Sequence, residues 1–196
     1  MINIGVYLFN KVELLDFAGP YEVFTVSSEL SGYKLLKTFT VSSDGKMITT
    51  VNGLKVQPDY SFQNHPPVDI LVIPGGNGTK KEIKKQEVLD WVSKTIESAE
   101  IAFSVCSGAR ILGKLGLLAN QEAVTHHEVF EDLKRISPDT RINPEKRFID
   151  DGRIITSGGI SAGIDVSLYI VERKFGKTVR DKTTVYMEYG DWKDLV

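Results

Sequence analysis

The stretch FSVCSGARILGKLGLL, Phe103 to Leu118, decides how the rest of the chain is read, and it carries the only cysteine among 196 residues. Before it, Ile101 to Val105 is short, apolar and rich in β-branched and aromatic side chains, the pattern of a buried strand. After it, Ile111, Leu112, Leu115 and Leu118 recur at helical spacing, which predicts a helix that starts a residue or two past Cys106 and turns one apolar face inward. Cys106 therefore falls on a strand-to-helix turn. Ser104 and Gly108, two residues to either side, are small enough to allow a sharp bend, the arrangement of a nucleophile elbow with sulfur in place of a serine oxygen. Such a turn exposes the thiol at the carboxyl edge of a sheet and aims the free N–H groups of a helix start towards it. Both effects favour the thiolate. A lone cysteine elsewhere is ordinarily a small buried hydrophobe; its place in this turn makes Cys106 a candidate nucleophile.

Length and composition restrict what that nucleophile can serve. A chain of 196 residues, 41% hydrophobic and 26% charged, suits one α/β domain over its whole length, 1–196, with a substantial core and no linker. The formal net charge of -2 and the lack of a dense basic run give no electrostatic footprint for nucleic acid. One cysteine cannot close an internal disulfide. Ile2 to Phe9 lacks the charged start and cleavage site of a secretion signal, and no apolar run approaches a membrane span, so the cytoplasm is the expected compartment.

The chain opens with INIGVYLF, Ile2 to Phe9, an apolar run that predicts a buried parallel strand. The loop NKVELLDFAG follows, and PYEVFTVSSEL then has helical grouping with Pro20 at the expected first helical position, where its missing N–H is not needed. The cap then falls on Gly19, which leaves Asp16 three residues too early to cap anything. In a parallel sheet the loop after the first strand opens on the edge that carries Cys106, so Asp16 is expected to face the thiol. Glu13 and Glu22 read as solvated charges. Lys34 to Ser42 predicts a second strand, and Asp44-Gly45 and Asn52-Gly53 mark a hairpin-like excursion. Ile70 to Ile73 predicts a central strand ending at Pro74-Gly75-Gly76, with a helix from about Lys81 to Ser98 after it. The glycine loop PGGNGTKK fits neither a P-loop nor a dinucleotide fingerprint. Its bare backbone instead offers the Gly76 N–H to a reacting atom.

Beyond the elbow, Thr125 with Glu128 three residues later reads as a capping box, placing His126 and His127 in the first turn of a helix. Adjacent helical positions diverge, so the pair is a poor chelator, and no metal or other cofactor is expected. By edge placement His126 is the histidine that lines the pocket, and His65 in NHPP reads as a loop residue. Phe148 to Ile149 and Ile154 to Thr156 flank the Asp151-Gly152 turn; Ser161 is the expected cap of the helix that follows, and Gly158 and Gly159 let this loop approach the elbow. The terminal segment TVRDKTTVYMEYGDW predicts a closing helix.

The segments DFAGPYEVF, DILVIPGGNG, SVCSGARILGKLGLL, AVTHH and DGRIITSGGISAGIDVSLYIV, in this order and spacing, resemble the ThiJ/PfpI superfamily of class I glutamine-amidotransferase-like proteins, and in particular its isonitrile hydratase-like branch. The resemblance covers roughly residues 2 to 175. It implies a flavodoxin-like three-layer sandwich, a homodimer, a nucleophile at Cys106, an acid at Asp16, and oxyanion or substrate-binding backbone at Gly75, Gly76 and Ser107. It also implies a small-molecule substrate, an isonitrile hydrated to an N-substituted formamide. Isonitrile hydratases commonly have threonine after the cysteine; Ser107 keeps the hydroxyl and loses the methyl. The histidine that follows the cysteine in the peptidase-like branch is absent, which disfavours proteolysis. Some relatives carry a DNA-binding helix-turn-helix domain after this fold, and none is expected before the chain ends at Val196. The rival expectation is a non-enzymatic sensor whose Cys106 is oxidised as a signal.

Overall fold

The computed structural model describes residues 1–195 and gathers the apolar runs into one seven-stranded sheet. The strands and helices, in chain order, are β1 (Ile2–Tyr7), α1 (Leu14–Leu30), β2 (Leu36–Ser42), the hairpin β3 (Ile48–Thr49) and β4 (Lys55–Val56), β5 (Tyr60–Ser61), β6 (Ile70–Ile73), α2 (Thr79–Glu82) and α3 (Gln86–Ser98). They continue with β7 (Ile101–Ser104), α4 (Ala109–Lys114), β8 (Glu122–Ala123), α5 (Phe130–Ile136), β9 (Arg141–Ile142), β10 (Phe148–Asp151), β11 (Ile154–Ser157), α6 (Ala162–Phe175) and α7 (Lys177–Tyr186). The sheet order is β10-β11-β7-β6-β1-β2-β5, and only the β10–β11 pair is antiparallel.

Register explains the layering. Val6, Val72 and Phe103 are in register and share one face, whereas Tyr7, Ile73 and Ser104, one residue on, share the other. Phe24 of α1 meets Phe103 edge-on with ring centroids 6.3 Å apart, and Trp91 of α3 meets Tyr7 at 5.5 Å. Helices thus cover both faces, which is why the central strands are apolar without alternation. Tyr7, Leu71, Ile73 and Phe103 are fully buried, and burial of an aliphatic or aromatic side chain of this size contributes about 1.5–3 kcal/mol. The sheet runs in both directions from β1, to β2 on one side and β6 on the other, so the gap between the carboxyl ends of β1 and β6 is the topological switch point where α/β proteins place ligands.

Several sequence expectations are corrected. Helix α1 begins at Leu14, not at Pro20, so Pro20 lies inside it and Asp16 stands in its first turn, not in a loop. The Gly19-Pro20 pair serves contact with α6: a Cβ on Gly19 would lie 2.9 Å from Ile164, and one on Gly163 would lie 3.3 Å from the Pro20 ring. The single helix expected from Lys81 is broken into α2 and α3. Ser161 makes no side-chain cap bond; its Oγ accepts instead from Arg147. No helix among the described residues is long and apolar enough to cross a membrane.

Candidate active site

Strand β7 delivers Cys106 into a 3-10 turn, Cys106–Gly108, that leads directly into α4. The cysteine has φ 57°, a conformation that a side chain adopts only at a cost of roughly 1–3 kcal/mol and only when its surroundings hold it. They do so from both sides. The Cys106 N–H donates to the Gly158 carbonyl at 3.0 Å, and the Thr125 hydroxyl donates to the Cys106 carbonyl at 2.7 Å. The turn is pressed so closely on β6 that a Cβ at Gly108 would sit 2.1 Å from the Ile73 carbonyl oxygen. Thr125 is therefore an anchor of the elbow and not the start of a capping box. His126 takes the N-cap position in its stead, its Nδ1 accepting the Glu128 N–H at 3.2 Å.

Asp16 is brought to the same edge by α1 and is fully buried. Its Oδ2 accepts the Gly75 N–H at 2.8 Å, a contact that the bare glycine permits, since a Cβ there would stand 2.5 Å from the Ser107 nitrogen. Its Oδ1 is buried without a regular hydrogen bond, while the carboxyl group as a whole lies close enough to the Cys106 thiol for the two to interact directly. Burial pushes the Asp16 carboxyl up to about 7, helped by the charge of Glu13 and opposed by the Gly75 N–H and the thiol. Burial also pushes the Cys106 thiol up to about 12, with the Asp16 charge as the second cause; the N–H groups of Ser107 and Ile160 act in the opposite direction and are outweighed. The expected low-pKa thiolate is thus corrected. The 3-10 turn offers the sulfur the Ser107 N–H and the loop after β11 offers that of Ile160, together less than burial and a neighbouring carboxylate take away.

The other expected site residues gather here as well. Gly76 N donates to the Ser107 hydroxyl at 2.8 Å, so this N–H is already engaged and a reacting oxygen must compete with Oγ for it. His126, Gly76, Ser107 and Cys106 line one pocket of about 330 Å³, while His127 faces away into another hollow. Glu13 also lines the pocket and is not merely a solvated charge. Ile160, Arg110 and Lys80 in its wall were not legible as site residues. Ile160 has φ 46°, unusual for a β-branched residue, and this backbone turn aims its N–H at the sulfur. A larger hollow of about 490 Å³ lies among α6, α7 and the last turn, but it contains neither the nucleophile nor the buried acid. Among the described residues no group of three His, Cys, Asp or Glu side chains is placed to hold a metal ion.

Residues 3–173, which carry this thiol, the buried acid and the glycine backbone between them, match the model of the DJ-1/PfpI family. The chain belongs to the DJ-1/PfpI family. Isonitrile hydratase from Pseudomonas putida is 30% identical to it over 192 residues, which is 96% of this chain and 79% of the hydratase. The HTH-type transcriptional regulator GbdR of Pseudomonas aeruginosa is 27% identical over 175 residues, 89% of this chain; the chain spans 47% of the regulator's length. A crystal structure of a ThiJ/PfpI family protein from Pseudomonas syringae is similar with a TM-score of 0.85 and 27% identity, over 96% of this chain and 75% of that one. This DJ-1/PfpI chain thus has relatives among both enzymes and regulators.

Proposed function

We propose that the protein is a cysteine-dependent hydratase of the isonitrile hydratase type, acting on a small isonitrile to give an N-substituted formamide. The observation that carries this reading is the buried Asp16 carboxyl beside the Cys106 thiol, held by the Gly75 N–H through one oxygen and left without a regular partner on the other, buried one. A carboxyl at about 7 is suited both to accept and to give a proton near neutrality. As sulfur bonds to the terminal isonitrile carbon, Asp16 takes the thiol proton and passes it to that carbon, leaving a thioimidate. Water then adds to the same carbon, a proton moves to nitrogen, and the tetrahedral adduct expels the thiol to release the formamide. Every atom of isonitrile and water appears in the product, and the cysteine is restored. The N–H groups of Ser107 and Ile160 stabilise negative charge on sulfur as it forms and as it leaves.

Incubation with a panel of small isonitriles, followed by detection of formamide, tests the reading; no product from wild type, or undiminished product from Cys106→Ser, would overturn it. The similarity to a transcriptional regulator favours a second reading, a ligand-sensing module that binds a small molecule at Cys106 without turnover. Oxidation as the signal fits less well, because it is the thiolate that attacks the peroxide oxygen and burial makes that form scarce. The homodimer that the family resemblance implies belongs to either reading. Light scattering should then give twice the 21.8 kDa of one chain.

A further inference from the structure

One wall of the Cys106 pocket carries positive charge that the hydration step does not use. Arg110 projects from α4 and is 5% exposed, and it forms part of the pocket lining. Its Nε donates to Asp132 at 2.6 Å and its Nη1 donates to Thr79 Oγ1 at 3.0 Å. Thr79 Oγ1 in turn donates to the Gly76 carbonyl at 2.7 Å, which ties the guanidinium to the glycine loop beside the nucleophile. Nη2 has no hydrogen-bond partner among the described residues, although a buried guanidinium ordinarily uses its fork of donors in full. Lys80, next to Thr79 on α2, lines the same wall, is exposed, and has no ion pair among the described residues. Asn77 adds an amide beside it.

We infer that Arg110 and Lys80 form an anion-binding subsite, so that the substrate carries a carboxylate or similar anionic group at a fixed distance from the carbon that meets Cys106. This rests on the reading of the pocket as the place where Cys106 meets its substrate, and it narrows the substrate class to anionic small molecules. The opposing charges are Asp132, which pairs with Arg110 through Nε at 2.6 Å and leaves Nη2 free among the described residues, and Glu13 and Glu128, which line the pocket from the residue before α1 and from the turn before α5. An anion that strays towards them is repelled. The subsite therefore selects by length as well as by charge. Val51, Val129 and Ile160 add aliphatic side chains to the same lining.

The test uses reagents whose reaction with Cys106 does not depend on hydratase activity. A series of ω-bromoalkanoates of increasing length is compared with the matching ω-bromoamides, and each rate ratio is divided by that of a small free thiol at the same pH. Wild type should prefer the carboxylates at one chain length, and Lys80→Met should reduce that preference roughly tenfold, the effect expected of one charge-assisted interaction. Arg110→Lys, which keeps the charge and loses the fork, should shift the preferred length. Should the arginine variant fail to fold, the exposed Lys80 still decides the matter. A wild-type ratio equal to that of the free thiol at every length, or a preference that survives Lys80→Met, would overturn the subsite. A protein that shows the preference but forms no formamide would keep the subsite and lose the hydratase reading.

Discussion

Among the described residues two carboxyl side chains are almost wholly buried, Asp16 and Glu82, and they are treated differently. Glu82 in α2 is 3% exposed, yet both of its oxygens are served, Oε2 by the Tyr7 hydroxyl at 2.5 Å and Oε1 by Lys85 Nζ at 2.9 Å. Asp16 has a single regular partner, the Gly75 N–H, and its remaining oxygen is sealed in beside a thiol. A satisfied buried acid locks structure in place, whereas an acid left one partner short is held away from its ordinary ionisation behaviour. The contrast sets a fully partnered carboxyl apart from the one to which the proposed chemistry is assigned, without reference to any relative.

The largest break expected between the two is in turnover. Asp16→Asn keeps the side-chain volume and the bond from Gly75 but cannot carry a proton, so formamide production should fall by roughly 10²- to 10⁴-fold. Glu82→Gln should leave turnover within about threefold, since Glu82 does not line the Cys106 pocket. Steady-state rates for both variants with the same isonitrile decide this. Equal losses would mean that the two acids play the same supporting role.

Stability should separate them next, through its dependence on pH. The Asp16 carboxyl rises from 3.8 to about 7 on folding, so between those values the folded chain holds a proton that the unfolded chain has released. This group's contribution is therefore most favourable below pH 3.8 and declines as pH rises through the window, with the full cost, at most about 4 kcal/mol, reached above pH 7. Asp16→Asn removes the titration. Its stability relative to wild type should increase from pH 5 to pH 8 in urea unfolding, and a constant difference at the two values would show that Asp16 does not titrate there. For Glu82→Gln the expected change has the opposite sign: a loss of about 2 kcal/mol at neutral pH, from weakening a buried bond to Tyr7 and removing the charge that faces Lys85.

Much of this contrast was written in the local sequence, and the rest was not, for physical reasons that differ by residue. The Cys106 turn was legible because the hydrophobic period changes there, from a strand run to Ile111 and Leu112 at helical spacing. Asp16 was legible as a carboxylate without a local task, although the helix start was misplaced: Pro20 satisfies the rule for a first helical position, but close contact with α6 put it in mid-helix. Thr125 and Glu128 matched a capping pattern, yet the hydroxyl's true partner is the Cys106 carbonyl, 19 residues away and invisible to any local rule. The turn of Ile160 and the reach of Arg110 into the pocket are likewise products of tertiary contact. So is the upward push on the thiol, because desolvation is the sum of every segment packed round the sulfur.

The smallest effect sharpens the comparison most, because it moves reactivity and turnover in opposite directions. Burial is the first cause of the raised Cys106 thiol and the Asp16 charge is the second. Asp16→Asn abolishes the second and leaves the first, and the amide that replaces the carboxylate can rotate its NH₂ towards sulfur while its oxygen keeps the Gly75 N–H. The thiolate then gains a donor and loses a repelling charge. Cys106 in the Asn variant should consequently react with iodoacetamide at pH 8 about tenfold faster than in wild type, the change that a shift of about one in a thiol's pKa produces. Glu82→Gln should leave the rate where it was. A variant whose cysteine is more reactive while its turnover has collapsed would show that Asp16 does not serve to make sulfur nucleophilic. Its task under the proposed reaction would then be to hold the proton until the isonitrile carbon is in place to receive it. Should alkylation instead slow or stay the same in Asp16→Asn, the carboxyl and the thiol are not coupled through charge, and the proton transfer assigned to the pair would have to be abandoned.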